Sequence, residues 1–142
     1  MDINTKIKSH AEWIESSGEK GIWLEAEGII FNGAVLVGAS LSNAEIPGAR
    51  FVACTLKGVD FYAANLASAQ FVDCAFDGVN FTKANLDYSE FRGGRADGVN
   101  FFRASLYEAV IDDCHMEHVN LEKAFLEKSV GLKPEDTDSP SP

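Results

Sequence analysis

The densest group of potential metal ligands in the chain is the segment 114–118, which reads Cys-His-Met-Glu-His. Thiolate, imidazole and carboxylate groups are the usual protein ligands of zinc, so the residue types suit a metal centre. In an extended segment, however, alternate side chains point to opposite sides, which separates Cys114 and Met116 from His115. Cys114, Met116 and His115 therefore cannot share one tetrahedral site with His118. The sequence predicts neither a metal ion nor a cofactor.

The remaining reactive side chains form no recognisable catalytic arrangement. Cys54, Cys74 and Cys114 do not make a paired disulfide framework, and none belongs to a Cys-x-x-Cys motif. The sequence also has no glycine-rich phosphate loop, no His-Glu-x-x-His and no Gly-x-Ser-x-Gly motif. We expect thiols that are buried as small apolar groups, no enzymatic activity, and a reducing, cytoplasmic location.

Charge and hydropathy narrow the classes of partner. The 142 residues include 12 Lys or Arg against 22 Asp or Glu, a formal net charge of -10. This balance disfavours direct binding to nucleic acid or to anionic membranes, because both are bound by basic surfaces. Residues 1–16 contain no apolar signal core, and no apolar run approaches about 18 residues, so neither export nor a membrane span is expected.

An unbroken five-residue repeat organises most of the chain. Of the twenty residues taken at every fifth position from Phe31 to Leu126, nineteen are Phe, Leu, Ile or Met, whereas about four are expected by chance. The residue two before each of these centres is nearly always small. A period of five leaves no single apolar face on a helix, whereas a large and a small residue two apart suit a short extended segment. Each pentapeptide is therefore predicted to be one short side followed by a corner.

A second period of twenty residues indicates how many sides close one coil. The tetrapeptides at 58–61, 78–81 and 98–101 read Gly-Val-Asp/Asn-Phe, and Ala44 begins an alanine column with the same spacing. Twenty divided by five gives four sides, so we predict a square all-β solenoid of about five coils with the large centres inside. Positive φ or backbone crowding would explain the glycine column that begins at Gly38. The Asp/Asn column that begins at Asp60 is expected to form an outward ladder of hydrogen bonds.

The pattern resembles the pentapeptide repeat family, whose loose consensus is Ala-(Asp/Asn)-Leu-x-x. Residues 64–66 and 84–86 both read Ala-Asn-Leu and match the consensus literally. The resemblance covers about residues 24–128 and implies a right-handed quadrilateral β-helix. The resemblance is also compatible with a homodimer that pairs through the carboxy-terminal coil, because members of the family often pair end to end.

Both ends of a solenoid need covering, because an open end exposes unpaired edges and apolar centres. Residues 1–23 are expected to form the amino-terminal cap, with an amphipathic helix over 3–16 that Ser17-Gly18 stops, followed by the solenoid over 24–128. We expect Trp13, Ile22, Trp23 and Leu24 to cover the first coil, and the segment around His10 resembles a cap found in some members of the family. Residues 129–142 would close the last coil and end in a disordered tail, with Phe125, Val130 and Leu132 as the closing side chains.

One coil departs from the pattern. Gly94 and Ala96 replace the usual pair of small and large residues. Either Phe76 and Met116 lean into the space, or a small void remains there as a binding notch.

The first functional hypothesis is a non-enzymatic module that binds an unidentified protein partner. It is based on aromatic residues at outward positions of the third and fourth sides, since clustered exposed aromatics are typical interface anchors. The candidate patch comprises Tyr62, Tyr88, Phe102, Arg103 and Tyr107. A basic column of Lys83, Arg103 and Lys123 lies beside it.

The second hypothesis is based on acidic columns. The resemblance implies this role, because family members that confer quinolone resistance or toxin immunity are thought to imitate DNA toward DNA gyrase. The candidate DNA-mimic face comprises Asp73, Asp77, Asp97, Asp112, Asp113 and Glu117. A solvated acidic face is the other interpretation of these residues. The long carboxy-terminal helix through which such members dimerise is missing from this sequence, which favours the first hypothesis.

Overall fold

Residues 2–132 are described by a computed structural model, which contains one helix and ten strands of three residues each. Helix α1 spans Ile3–Glu15. The strands are β1 Ile30–Asn32, β2 Val35–Val37, β3 Arg50–Val52, β4 Thr55–Lys57, β5 Gln70–Val72, β6 Ala75–Asp77, β7 Glu90–Arg92, β8 Arg95–Asp97, β9 Val110–Asp112 and β10 His115–Glu117.

The strands form two parallel sheets in which every residue pairs with the residue twenty positions away. The odd-numbered strands make wall 1, in the order β1-β3-β5-β7-β9, and the even-numbered strands make wall 2. In β1, for example, Phe31 pairs with Phe51 of β3. The central residue of each strand faces inward and its two neighbours face outward, which is the predicted alternation.

Two ladders of single parallel bridges make the remaining walls. Wall 3 runs from Ser40 through Asp60, Asn80 and Asn100 to Asn120, and wall 4 runs from Glu25 to Phe125 with the same twenty-residue step. Both strand walls are five strands deep, with four twenty-residue steps between β1 and β9. The predicted four-sided solenoid is therefore confirmed.

Stacked phenylalanine rings fill the axis. On wall 1 the ring centroids of Phe31, Phe51, Phe71 and Phe91 lie 4.3, 4.8 and 4.7 Å apart in sequence, with nearly parallel planes. A second stack on wall 3 starts at Phe61, with centroid spacings of 5.1 and 5.3 Å. Each of these rings is at most 1% exposed, and burial of one such side chain contributes roughly 1.5–3 kcal/mol.

Left-handed backbone conformation at every fifth residue makes the corners. Gly38 and Gly78 have φ values of 64° and 62°, and a Cβ on either glycine would meet nothing within 4 Å. Positive φ, and not crowding, therefore explains this glycine column. His118 occupies the same column with φ 53°, so it adopts the regular corner conformation although it replaces the glycine of the earlier coils.

The predicted ladder of Asp and Asn side chains is present on wall 3. The Asn80 amide donates to the Asp60 carboxylate at 3.1 Å. Side chains of this ladder also accept a hydrogen bond from the backbone N–H two residues later. The Tyr62 N–H donates to Asp60 at 3.0 Å, and the Phe102 N–H donates to Asn100 at 2.9 Å. These bonds set the direction of the backbone just where the two aromatic residues leave the wall.

At the amino terminus, His10 joins α1 to the first coil. It is fully buried, and the Leu24 N–H donates to its Nδ1 at 2.9 Å. Because Nδ1 is an acceptor, Nε2 carries the proton and donates to the Ser42 carbonyl at 2.7 Å. Leu24 is buried as expected, but Ile22 and Trp23 are exposed, so they do not cover the core.

The carboxy-terminal expectation is only partly correct. Leu132 is buried, but Phe125 and Val130 are 48% and 61% exposed, because both lie one residue before an inward position and therefore point outward. The inward residues Ile111 and Met116 of the last coil remain half-buried. The tail predicted to be disordered begins at Pro134, which is outside the described residues.

The buried imidazole of His10 makes the cap sensitive to acid. Burial lowers the pKa of His10, and protonation of Nδ1 would destroy its bond from Leu24. The unfolded chain therefore binds this proton at a higher pH than the folded chain, and stability falls as the pH drops below about 6.5 toward the folded-state pKa. We expect the thermal midpoint of the wild type to fall more between pH 7.5 and pH 5.5 than that of His10→Gln. Equal falls would contradict this role for His10.

Candidate interaction surface

The corner between walls 3 and 4 carries a column of cations. Lys83, Arg103 and Lys123 occupy left-handed positions with φ of 59°, 56° and 57°, one coil apart. At such a corner a side chain projects away from both walls, and all three residues are exposed. The basic column predicted from the sequence therefore lies on one edge of the solenoid.

On the wall 3 side of this edge, cations lie over aromatic rings. The Lys83 ammonium is 5.7 Å from the Tyr62 ring centroid and 3.5 Å from its hydroxyl oxygen. The Arg103 guanidinium lies 5.3 Å from the centroid of Phe102. Such contacts hold the rings against the wall and leave one face of each ring available.

On the wall 4 side, three rings form a second cluster. Tyr88 meets Tyr107 edge to face at 5.6 Å, and Tyr107 stacks on Phe125 at 6.2 Å. The Lys128 ammonium lies 5.9 Å from the Tyr107 centroid. The structure thus places the four predicted aromatic residues in two clusters on either side of the basic column, and Arg103, the fifth predicted residue, belongs to the column itself. We call the whole surface the aromatic–basic edge.

Sequence reasoning missed two members of this surface. Phe125 was expected to close the last coil, yet the five-residue frame itself puts it outward, because it directly precedes the inward Leu126. Lys128 occupies the left-handed corner position of the same pentapeptide, with φ 59°. The signal for both residues was therefore present in the repeat register.

The acidic residues lie mainly on wall 2 and at its corner with wall 1. Asp77, Asp97 and Glu117 are directly paired neighbours in the ladder, as predicted. Cations offset several of the charges, however. Arg92 binds Asp112 and Glu90 at 2.8 Å each, and Glu90 is the main cause of the raised pKa of the Arg92 guanidinium.

Two histidines also contact this acidic column. Nδ1 of His118 lies 2.8 Å from the Asp97 carboxylate, and Nε2 of His115 lies 2.8 Å from that of Glu117. Asp73 and Asp113 are exposed corner residues. The acidic face therefore mixes carboxylates with cations and imidazoles.

The cysteines lie in one inward column. The Sγ–H of Cys54 donates to the Phe31 carbonyl at 3.2 Å, and Cys74 repeats this bond with Phe51. Burial raises the pKa of Cys74 and of Cys114 to about 11, so both thiols stay protonated near neutral pH.

In the irregular coil, the side chain of Phe76 occupies the space beside the small residue Ala96. Phe76 packs against Phe91 of the next coil at 5.7 Å and is only 3% exposed, as is Ala96. Phe76 thus leans into the space that a large residue at position 96 would occupy. Gly94 has φ +74°, and a Cβ there would lie 2.1 Å from the Cys74 carbonyl oxygen. Only glycine therefore fits at position 94.

Within residues 2–132, no helix is both long and apolar enough to span a lipid bilayer.

The walls, corners and stacked core define a four-walled parallel β-solenoid. A family model described as the pentapeptide repeat region matches residues 27–101. The chain therefore belongs to the pentapeptide repeat family.

Solved structures of other pentapeptide repeat proteins are similar to this chain. One from the Arabidopsis thaliana thylakoid lumen is 18% identical, with 79% of this chain and 70% of that chain covered and a TM-score of 0.30. HetL of the cyanobacterium Nostoc, involved in regulation of heterocyst differentiation, is 15% identical, with 91% and 94% covered and a TM-score of 0.31. QnrB1, a plasmid-mediated fluoroquinolone resistance protein, is 16% identical, with 82% and 87% covered and a TM-score of 0.32. Among curated proteins, none matches this chain.

Two glycine substitutions separate backbone strain from a steric clash. Gly38→Ala introduces only the strain of a left-handed alanine, about 1–2 kcal/mol, since its Cβ would meet nothing. Gly94→Ala adds the contact with the Cys74 carbonyl, so we expect it to lower the free energy of unfolding by several times as much. Urea unfolding of both variants measures the difference. Equal losses would show that the wall at Gly94 yields to a Cβ.

Proposed function

We propose that this protein is a non-enzymatic binding module that presents the aromatic–basic edge to a protein partner. The observation that carries the proposal is the double cluster of rings beside Lys83, Arg103 and Lys123. Rings and guanidinium groups are enriched among the residues that dominate interface energies. Stacked coils hold their backbone in place, so little conformational entropy is lost when a partner binds.

The charge of the edge supports an acidic partner segment. The chain as a whole is acidic, yet this edge carries a cation in three successive coils, at Lys83, Arg103 and Lys123. An acidic segment with aromatic or aliphatic side chains would pair with the column and pack on the flanking rings. We further propose a reducing, cytoplasmic setting, since three unpaired cysteines suit such a compartment.

Arg103→Glu and Tyr107→Ala test the edge directly. The tagged wild type and both variants are used for affinity purification from the native host, with mass spectrometry of the bound proteins. We expect a partner that the wild type retains and that each variant binds at least tenfold more weakly, as for central interface residues.

Lys57→Glu on wall 2 is the matched control for Arg103→Glu, because it makes the same charge change at an exposed strand position. The proposal fails if every partner tolerates the edge substitutions, or if the control removes it equally. Light scattering of the free protein would establish in the same series whether it forms the homodimer expected from the resemblance.

A second candidate function, mimicry of DNA toward a topoisomerase, is favoured by the paired register of Asp77, Asp97 and Glu117. The cation and imidazole contacts on that face weaken it, since they reduce the exposed negative charge. A gyrase supercoiling assay with and without a quinolone tests the idea. If mimicry operates, micromolar protein changes supercoiling and Asp77→Asn with Glu117→Gln removes the change. No effect of the wild type excludes the role.

A further inference from the structure

The last coil brings imidazole and carboxylate groups together across the solenoid wall. Asp97 of β8 and Glu117 of β10 are paired in the ladder, and His118 follows at the corner. The candidate ligand atoms of these three side chains all lie within 4.8 Å of one another. All three residues are exposed, so an ion can reach them without opening the fold.

This group is more than a patch of acids. Only three histidines occur in the chain, and two of them lie on this wall within four residues. His115 contacts the Glu117 carboxylate at 2.8 Å and so can orient it, as outer partners orient metal ligands. His118 stands in the column that carries glycine at positions 38, 58, 78 and 98, so an imidazole appears at this corner only where Asp97 and Glu117 are both within reach.

We propose that Asp97, Glu117 and His118 bind a zinc ion, with the fourth position open to water. A mixed set of one nitrogen and two oxygen ligands suits zinc, whereas calcium and magnesium take oxygen ligands alone. At the other end of β8 and β10, Arg95 is the ladder neighbour of His115, so the two carboxylates lie at the His118 end of the strands.

The location gives such an ion a structural role. Backbone hydrogen bonds join this coil to the one below at both ends of β10, at 3.2 Å from His115 N to the Gly94 carbonyl and at 3.1 Å from Gly98 N to the Glu117 carbonyl. An ion held by β8, β10 and the following corner would fasten the last coil to its neighbour, because a ligand that binds only the folded state stabilises it.

Titration of the untagged protein with zinc chloride, followed by calorimetry in a non-chelating buffer at pH 7.5, tests the site. We expect one ion per chain, with affinity lowered at least tenfold in Asp97→Asn and in His118→Gly. The second variant restores the glycine that is usual in this column, so its fold is preserved while the imidazole is lost. Thermal unfolding with zinc provides a second readout: the midpoint should rise in the wild type and not in His118→Gly.

Asp77→Asn is the matched control, since Asp77 is the next carboxylate in the same column but lies outside the three-residue group. Its zinc affinity should equal that of the wild type. The proposal is overturned if the wild type does not bind zinc, if Asp97→Asn and His118→Gly bind it as tightly as the wild type, or if Asp77→Asn weakens binding as much as they do.

Discussion

Parallel pairing between residues twenty apart is the constraint on which the rest of the structure depends. Apart from turn bonds within a coil, such as that from Ala64 N to the Phe61 carbonyl, the backbone hydrogen bonds of each coil go to the coils above and below, so a residue's neighbours are set by its position within the period. Large side chains then stack on large ones along the axis, as Phe31, Phe51 and Phe71 do. A single coil would bury almost nothing, and the core exists because the register repeats.

The same register makes surface chemistry columnar. One change of residue type per coil produces a row along an edge, which is how the cations of the aromatic–basic edge and the carboxylates of wall 2 arise. Because the corners are fixed left-handed positions, a side chain placed there projects outward without disturbing the core. Most outward side chains therefore do not determine the fold, so the surface can be adapted to a partner or an ion without a change in the core.

Sequence periodicity predicted the walls, the inward residues and the wall 3 ladder, because these follow from position within the frame alone. It failed where contacts depend on side-chain conformation or on atoms between coils. The contact between His118 and Asp97 joins two adjacent coils, so the residues 114–118 taken alone could not reveal it. The two hydrogen bonds of His10 reach Leu24 and Ser42, which are 14 and 32 residues further along the chain, and they depend on how the helix packs on the first coil. Phe125 was misassigned although the frame contained the answer.

The most direct test of the account is to remove one full period and compare it with a removal that breaks the register. Deletion of residues 62–81 joins Phe61 to Thr82 and preserves the frame, whereas deletion of 62–80 leaves one extra residue at the same place. The first variant is shorter by one coil but should still be folded, so circular dichroism should show a cooperative thermal transition. The second variant should show no cooperative transition. If both variants unfold alike, the twenty-residue register does not hold this protein together.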